Sequence, residues 1–348
     1  MKPAPLYAVV LAGGVGSRFW PVSTPGRPKQ LLPLASSHSL LAETVERLVP
    51  LVGSSHLLVL TSASLRDAVL SALPDLERSQ LLLEPRPAGT AAALTWAATQ
   101  VVRLGGADAR MVCVHADWAI ADAKRFRETL AKAADLAATG NALATVGIVP
   151  TRPDPGFGYI QPGEEVTGGA RRVARFVEKP DRERAAVMMR EGFLWNSGIF
   201  AWRAQDLLDE VRAVTPELAP ALAAADGGAV AFFGAVSKPV SIDVGVMERS
   251  ARVIVLPGDF GWDDVGTWGA LQRVREKDAD GNASHGRVFA RDASGNVVHS
   301  EAGAVVLYGV SDLVVVVRDG VTLITTVDRS ADLKSLVDSL PADLRGID

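Results

Sequence analysis

The sequence predicts an α/β protein built on a mainly parallel, doubly wound sheet, followed by a smaller β-rich domain. Three observations lead there. Short apolar runs alternate with helical periodicity from residue 6 to residue 149. The first apolar run passes directly into a glycine-rich loop. After residue 280 the helical periodicity gives way to short valine-rich runs punctuated by Gly295, Gly303, Gly309 and Gly320.

The elements follow in order. Leu6–Leu11 is continuously apolar and too short for a buried helix, so it reads as a strand covered on both faces. Further strands are expected at Leu57–Thr61, Gln80–Glu84, Met111–His115 and Leu143–Val149. Helical spacing places helices at Leu40–Val49, Ser64–Ala72, Thr90–Arg103 and Asp122–Ala138. Strands separated by helices pair in parallel, with helices on both faces of the sheet. Ligands in such sheets bind beyond the strand carboxyl ends. The glycine loop, Glu84 and Asp117 are therefore expected to share one cleft. In the middle, Gly156–Gln161 is a turn into a strand, and Val173–Glu178 is a strand stopped by Pro180. Asp181–Arg190 is a helix, Ile199–Trp202 a strand, and Leu207–Val214 and Pro216–Ala225 are helices. The Ala/Gly stretch 222–231 reads as a surface connection and Val253–Leu256 as a late strand. The boundary falls near residue 280, giving domains at 1–280 and 281–348. In the second, short strands are expected at Arg287–Ala290, Val297–His299, Ala304–Tyr308, Leu313–Val317 and Thr322–Thr326, before a helix at Ala331–Leu340. Their spacing suits a solenoid of few coils, of which a short left-handed β-helix is one form. Dimerisation is one way to cover its edges.

Composition narrows the function. With 48% hydrophobic residues among 348, a sizeable core is expected and disorder is not. A net charge of −4 argues against a general nucleic-acid binder. The single cysteine, Cys113, sits in an apolar run and reads as core; a reducing, cytoplasmic setting fits. No stretch approaches transmembrane length, so no membrane partner is expected. Lys2 and the short run Leu6–Ala12 lead into glycines, not a cleavage site, so no signal peptide is read there.

The loop itself reads Leu11-Ala12-Gly13-Gly14-Val15-Gly16-Ser17-Arg18, with Pro28-Lys29 beyond. It is not a P-loop, because no Lys-Ser or Lys-Thr follows a glycine; Phe19 stands where a dinucleotide fingerprint needs its third glycine. Glycines let successive amides face an anion, and Arg18 and Lys29 add cationic side chains, a combination suited to a polyphosphate.

This block, continued through Phe19-Trp20-Pro21 and Lys29-Gln30, resembles the signature of the sugar-phosphate nucleotidyltransferases, and most of all the mannose-1-phosphate guanylyltransferases. Four further blocks match in order: Phe176–Pro180, Trp195–Phe200, Ser241–Glu248 and Trp262–Trp268. The resemblance implies a Rossmann-like, nucleotidyltransferase-type fold and a reaction of GTP with mannose 1-phosphate giving GDP-mannose and pyrophosphate. It implies Arg18 and Lys29 as catalytic cations, with Leu11, Ala12, Gly13, Gly14, Gly16, Ser17, Glu84, Gly89 and Thr90 around the nucleotide. Gly158, Glu178, Lys179, Asn196 and Asp243 would hold the sugar phosphate. Asp117 and Asp264 would bind Mg²⁺, a cation that takes a few carboxylates and completes its shell with phosphate and water oxygens. Longer members carry a following isomerase domain, which is not expected in this chain. From the residues alone, Asp117 could equally be a helix cap, Asp243 a cap, Asn196 a turn former, and Glu178-Lys179 a solvated pair.

Two blocks depart from the pattern. The usual Pro-x-Asp-His is here His115-Ala116-Asp117-Trp118, and the usual Asn-Thr-Ala-Pro is Gly89-Thr90-Ala91-Ala92. The missing amide side chain predicts a looser choice of base, and the Thr90 hydroxyl is expected to cap its helix. Two alternatives stay open: a relative using another triphosphate or hexose phosphate, and a non-catalytic sensor of nucleotide-sugar.

Overall fold

Strand β1 (Leu6–Leu11) shows how the first domain is built. Its side chains alternate between faces, and each face enters a different core. Ala8 and Val10 pack with α1 (Leu40–Val52), α2 (Arg66–Ala72) and α4 (Ala123–Gly140). Tyr7, Val9 and Leu11 pack with α3 (Thr90–Gly105), α6 (Ala204–Val214) and α8 (Gly228–Gly234). The structure is a computed structural model describing residues 4–14 and 17–345. Gly16 lies outside the described residues, as does the side chain of Ser17.

The remaining strands of the large sheet are β2 (Leu57–Ser62), β3 (Leu81–Glu84), β4 (Arg110–His115), β6 (Leu143–Ile148), β7 (Tyr159–Glu165), β8 (Arg171–Val177), β9 (Leu194–Arg203) and β10 (Val253–Gly258). Their order is β3-β2-β1-β4-β9-β6-β10-β8-β7. All run one way except β8 and β9; β9 is inserted antiparallel between β4 and β6. The parallel pairings expected from the βα alternation hold for β1–β4 and for β6 with β10. The insertion was not legible, since an apolar run specifies burial but not direction. Helix starts follow their caps: Ser39, Asp122 and Asp181 each accept a first-turn amide. No helix among the described residues is long and apolar enough to cross a membrane.

The Ala/Gly stretch 222–231, expected as a surface connection, instead runs into α8, whose Phe232 and Phe233 are fully buried against Trp96. Burial of two phenylalanines outweighs the weak helix preference of the glycines flanking them.

A two-residue ribbon matters more for the site. Strand β5 (Ala119–Ile120) pairs antiparallel with β11 (Trp262–Asp263), setting Asp263 opposite Ala119. That register brings the chain at Asp117 alongside the chain at Asp264.

Beyond α9 (Leu271–Val274), the second sheet contains β12 (Ala283–Arg291), β13 (Val297–Tyr308), β14 (Leu313–Arg318) and β15 (Val321–Thr326). The first three are parallel rungs and β15 returns antiparallel. The two runs expected at Val297–His299 and Ala304–Tyr308 form one strand, β13, whose register against β12 shifts at Gly286. A Cβ on Gly286 would lie 2.3 Å from the Ser300 carbonyl oxygen, so only glycine fits the bulge. Buried Asn282 and Asn296 stack across rungs: Asn296 Nδ2 donates to Asn282 Oδ1 at 2.8 Å, and Asn296 Oδ1 accepts from the Leu313 amide at 2.9 Å. The chain ends in α10 (Leu333–Ser339) and the short α11 (Ala342–Arg345).

Candidate active site

The site lies in a cleft of about 720 Å³ at the carboxyl ends of the central strands. Its walls include Arg18, Lys29, Thr90, Asp117, Gly158, Glu178, Lys179, Asn196, Asp243 and Asp264. Ten expected site residues are thus gathered from eight separate stretches of the chain.

The glycine loop borders this cleft and is tied from behind. Gln30 Nε2 donates to the Ala12 carbonyl at 2.9 Å and to that of Gly14 at 3.3 Å, and Thr61 Oγ1 donates to Ala12 at 3.0 Å. Gly14, with φ +105°, turns the exposed loop. Leu11 and Ala12 are buried beneath it. Arg18 is exposed at the cleft mouth.

Lys29 is the hub. Only 7% exposed, it donates from Nζ to Asp117 Oδ2 at 2.9 Å and to the Asp264 carbonyl at 2.6 Å. Burial works against ionisation of Asp117, but Lys29 and His115 outweigh it, and the carboxyl sits below its ordinary range. Asp117 is deep in the cleft yet its side chain stays 37% open to solvent. It caps no helix; that role falls to Asp122.

The paired acids Asp263-Asp264 divide their work. Asp263 is buried, pairs with Arg273 at 2.6 and 3.1 Å, and accepts the Val265 amide at 2.9 Å. That grip holds Val265 at φ +47°, costly for a β-branched residue. Asp264 is left facing the cleft, and a Cβ on Gly266 would come within 2.7 Å of its Oδ2. Burial pushes the Asp264 carboxyl up to about 6, against the pull of Lys29.

No three His, Cys, Asp or Glu side chains cluster as a metal cage among the described residues. The donor set fits Mg²⁺ all the same, because that ion commonly takes one or two carboxylates and leaves its other positions to phosphates and water. Asp117 and Asp264, facing the cleft beside one lysine, are the residues that could hold it.

Across the cleft, Asn196 Nδ2 donates to Asp243 Oδ1 at 2.7 Å, and its Oδ1 accepts from the Gly198 amide at 3.2 Å. Burial raises the Asp243 carboxyl despite the Asn196 hydrogen bond. Asp243 therefore caps nothing with its side chain; it is a partner of Asn196. Gly158 receives the Asn196 amide on its carbonyl at 2.8 Å, and a Cβ there would meet Glu178 Oε2 at 2.8 Å. Glu178 and Lys179 are exposed and bonded to each other at 2.6 Å, with Lys179 at φ +40°.

Some expectations change. Glu84 and Gly89 do not line this cleft. Glu84 ends the outermost strand, two places from β1, and burial pushes its carboxyl up to about 7. Gly89, at φ +84°, starts α3 where a Cβ would strike the Val240 carbonyl at 2.4 Å. The Thr90 hydroxyl does not cap its own helix but accepts the Ile242 amide at 2.9 Å, tying α3 to the Ser241 block. Among the tryptophans, Trp262 lines the cleft, whereas Trp195, Trp202 and Trp268 are core. Trp118 and Phe157, not proposed as contacts, join Trp262 there with ring centroids 5.8 and 5.4 Å from it. The only sequence signal for Trp118 was its departure from the usual histidine.

Comparisons with known proteins agree with this geometry. The nucleotidyl transferase profile matches residues 7–281. A mannose-1-phosphate guanylyltransferase of Escherichia coli is 37% identical over 98% of this chain and 75% of its own length. The xanthan biosynthesis protein XanB of Xanthomonas campestris is 37% identical over 95% of this chain and 72% of its length. A Thermus thermophilus structure described as a mannose-1-phosphate geranyltransferase superposes with a TM-score of 0.88 at 36% identity, covering 96% of this chain and 98% of that one. This chain belongs to the nucleotidyl transferase family.

Proposed function

We propose that this chain transfers GMP from GTP to α-D-mannose 1-phosphate, giving GDP-mannose and pyrophosphate. The observation that supports it best is Lys29, which joins the two aspartate-bearing segments in the same cleft that Asn196 and Asp243 line. A phosphate oxygen of the sugar attacks the α-phosphorus in line; the new P–O bond forms as the bond to pyrophosphate breaks. The nucleophile is already anionic near neutral pH, so no general base is needed. The protein must align two mutually repelling anions and offset charge on the leaving group. In this reading Arg18 and Lys29 face the triphosphate, and the amides of Gly13, Gly14 and Ser17 bond its oxygens. Leu11, Ala12 and Thr90 shape the nucleotide side; Gly89 acts only by setting the start of α3 behind Thr90, and Glu84 stands apart at the sheet edge. Gly158 leaves room for the sugar, Glu178, Asn196 and Asp243 bond its hydroxyls, and Lys179 meets its phosphate. Mg²⁺ held by Asp117 and Asp264 would supply charge neutralisation between the two phosphates.

Pyrophosphate release measured over a matrix of nucleoside triphosphates and hexose 1-phosphates tests this. The GTP and mannose 1-phosphate pair is expected to be fastest. A preference for UTP or dTTP overturns the guanine assignment, and GDP-mannose binding without turnover at any Mg²⁺ concentration favours a sensor.

We also read the exposed row Phe289, Val306 and Tyr308 as a contact between two copies of the chain in a cytoplasmic homodimer. Phe289 and Val306 are register partners on β12 and β13, and β12 is one of the sheet's two edge strands. Light scattering should give twice the 36.6 kDa chain mass; a monomer at micromolar concentration sinks the idea.

A further inference from the structure

The segment from Phe19 to Leu34 carries Lys29 but has little regular structure of its own: a 3₁₀ turn at Lys29–Leu31 and an isolated bridge between Thr24 and Arg27. It is held from outside. Trp268 Nε1 donates to the Trp20 carbonyl at 3.0 Å, and Arg275 Nε to that of Leu34 at 2.6 Å. Arg318 donates to the Val22 carbonyl, and Arg27 Nη1 to Glu301 Oε2 at 2.8 Å. Glu301 sits on β13 between Arg27 and Arg318, whose Nε is 3.6 Å away. Burial opposes its charge, but His299 and Arg27 outweigh burial and hold its carboxyl down at about 2. Beneath these contacts Phe19, Val22 and Leu32 share a core with Val314, Val316 and Leu323 of the second sheet.

We propose that the C-terminal sheet is a positioning element for the triphosphate side of the site, with Glu301, clamped between Arg27 and Arg318, as the positioning residue that sets the arm from which Lys29 reaches Asp117. This rests on the role given to Lys29 above. Arg27 is two residues from Lys29, whereas none of these polar contacts involves Gly158, Glu178, Lys179, Asn196 or Asp243. The effect is therefore confined to one substrate.

The test uses the full chain with Glu301→Gln and Arg318→Met, each first checked for an unchanged fold by circular dichroism. Initial rates are then measured with GTP and mannose 1-phosphate varied separately. The expected result is a loss of roughly tenfold or more in kcat/KM for GTP, with the KM for mannose 1-phosphate unchanged within about twofold. Amide exchange across residues 22–31 should speed up in Glu301→Gln, and Glu301→Asp should restore part of the loss. Unchanged GTP kinetics in both folded variants, or equal shifts for both substrates, overturns the proposal. Should Glu301→Gln fail to fold, Arg27→Ala, at the half-exposed end of the pair, carries the same test. A Lys29→Met variant run alongside separates the two readings: normal GTP kinetics there would refute the role of Lys29 itself.

Discussion

Replacing Asp264 with alanine is expected to lower turnover by about 10²- to 10³-fold, the scale seen when one charge-stabilising group is removed from a preorganised site. The fold should survive. Asp263, not Asp264, holds the turn through Arg273 and the Val265 amide, and the contact Asp264 makes with Lys29 comes from its main-chain oxygen, which alanine keeps. The measurement is pyrophosphate release across a Mg²⁺ titration together with a thermal melt. An unchanged rate at saturating Mg²⁺ would contradict the metal role. A pH effect accompanies it. Burial lifts the Asp264 carboxyl to about 6, so in the free enzyme it gains a proton as pH falls through that value and loses its hold on a cation. The acid limb of kcat/KM should lie near pH 6 at low Mg²⁺ and move lower as Mg²⁺ rises, because the cation favours the ionised form. Asp264→Asn should lack that limb.

Lys29→Met should be the second severe lesion, with turnover down about 10³-fold and a stability loss of about 1–2 kcal/mol. The stability figure is kept small because Asp117, its partner, is still 37% open to water and can be solvated when the lysine is gone. The activity figure is large because one ammonium balances Asp117, pins the Asp264 main chain and, in the proposed reaction, faces the triphosphate. Without it, burial acts on Asp117 unopposed by its strongest neighbour and the carboxyl rises. Arginine is a poor substitute, since a wider planar guanidinium cannot occupy the space of a compact ammonium bonded at 2.9 and 2.6 Å. Urea midpoints and GTP kinetics on Lys29→Met and Lys29→Arg measure both effects; near-normal turnover in either would count against this placement.

The place of the glycine loop at the end of β1, with Arg18 and Lys29 at the cleft, was readable because the signal is local. Gly13, Gly14, Arg18 and Lys29 stand within twenty residues of one another, and the meaning of small residues beside cations at a strand end does not depend on the rest of the chain. The choice between Asp263 and Asp264 was not readable from spacing, because two adjacent carboxylates look alike until Arg273 claims one of them. Gln30 is similar: its amide holds two loop carbonyls, yet nothing in Lys29-Gln30-Leu31 foretells that geometry. Glu84 went astray because a strand end says nothing of how far that strand lies from the centre of the sheet.

Apolar periodicity, caps and glycine placement were enough to set the strands and helices of the first half, since each depends on a few neighbouring side chains and on burial alone. Strand order, the reversed β9, the ribbon that aligns Asp117 with Asp264, and the grip of Glu301 and Arg275 on the lysine-bearing arm all join segments that are separate in the sequence. Such contacts arise from competition among many possible partners for the same buried space and charge, which is resolved by the packed molecule and is not written in any one stretch of chain.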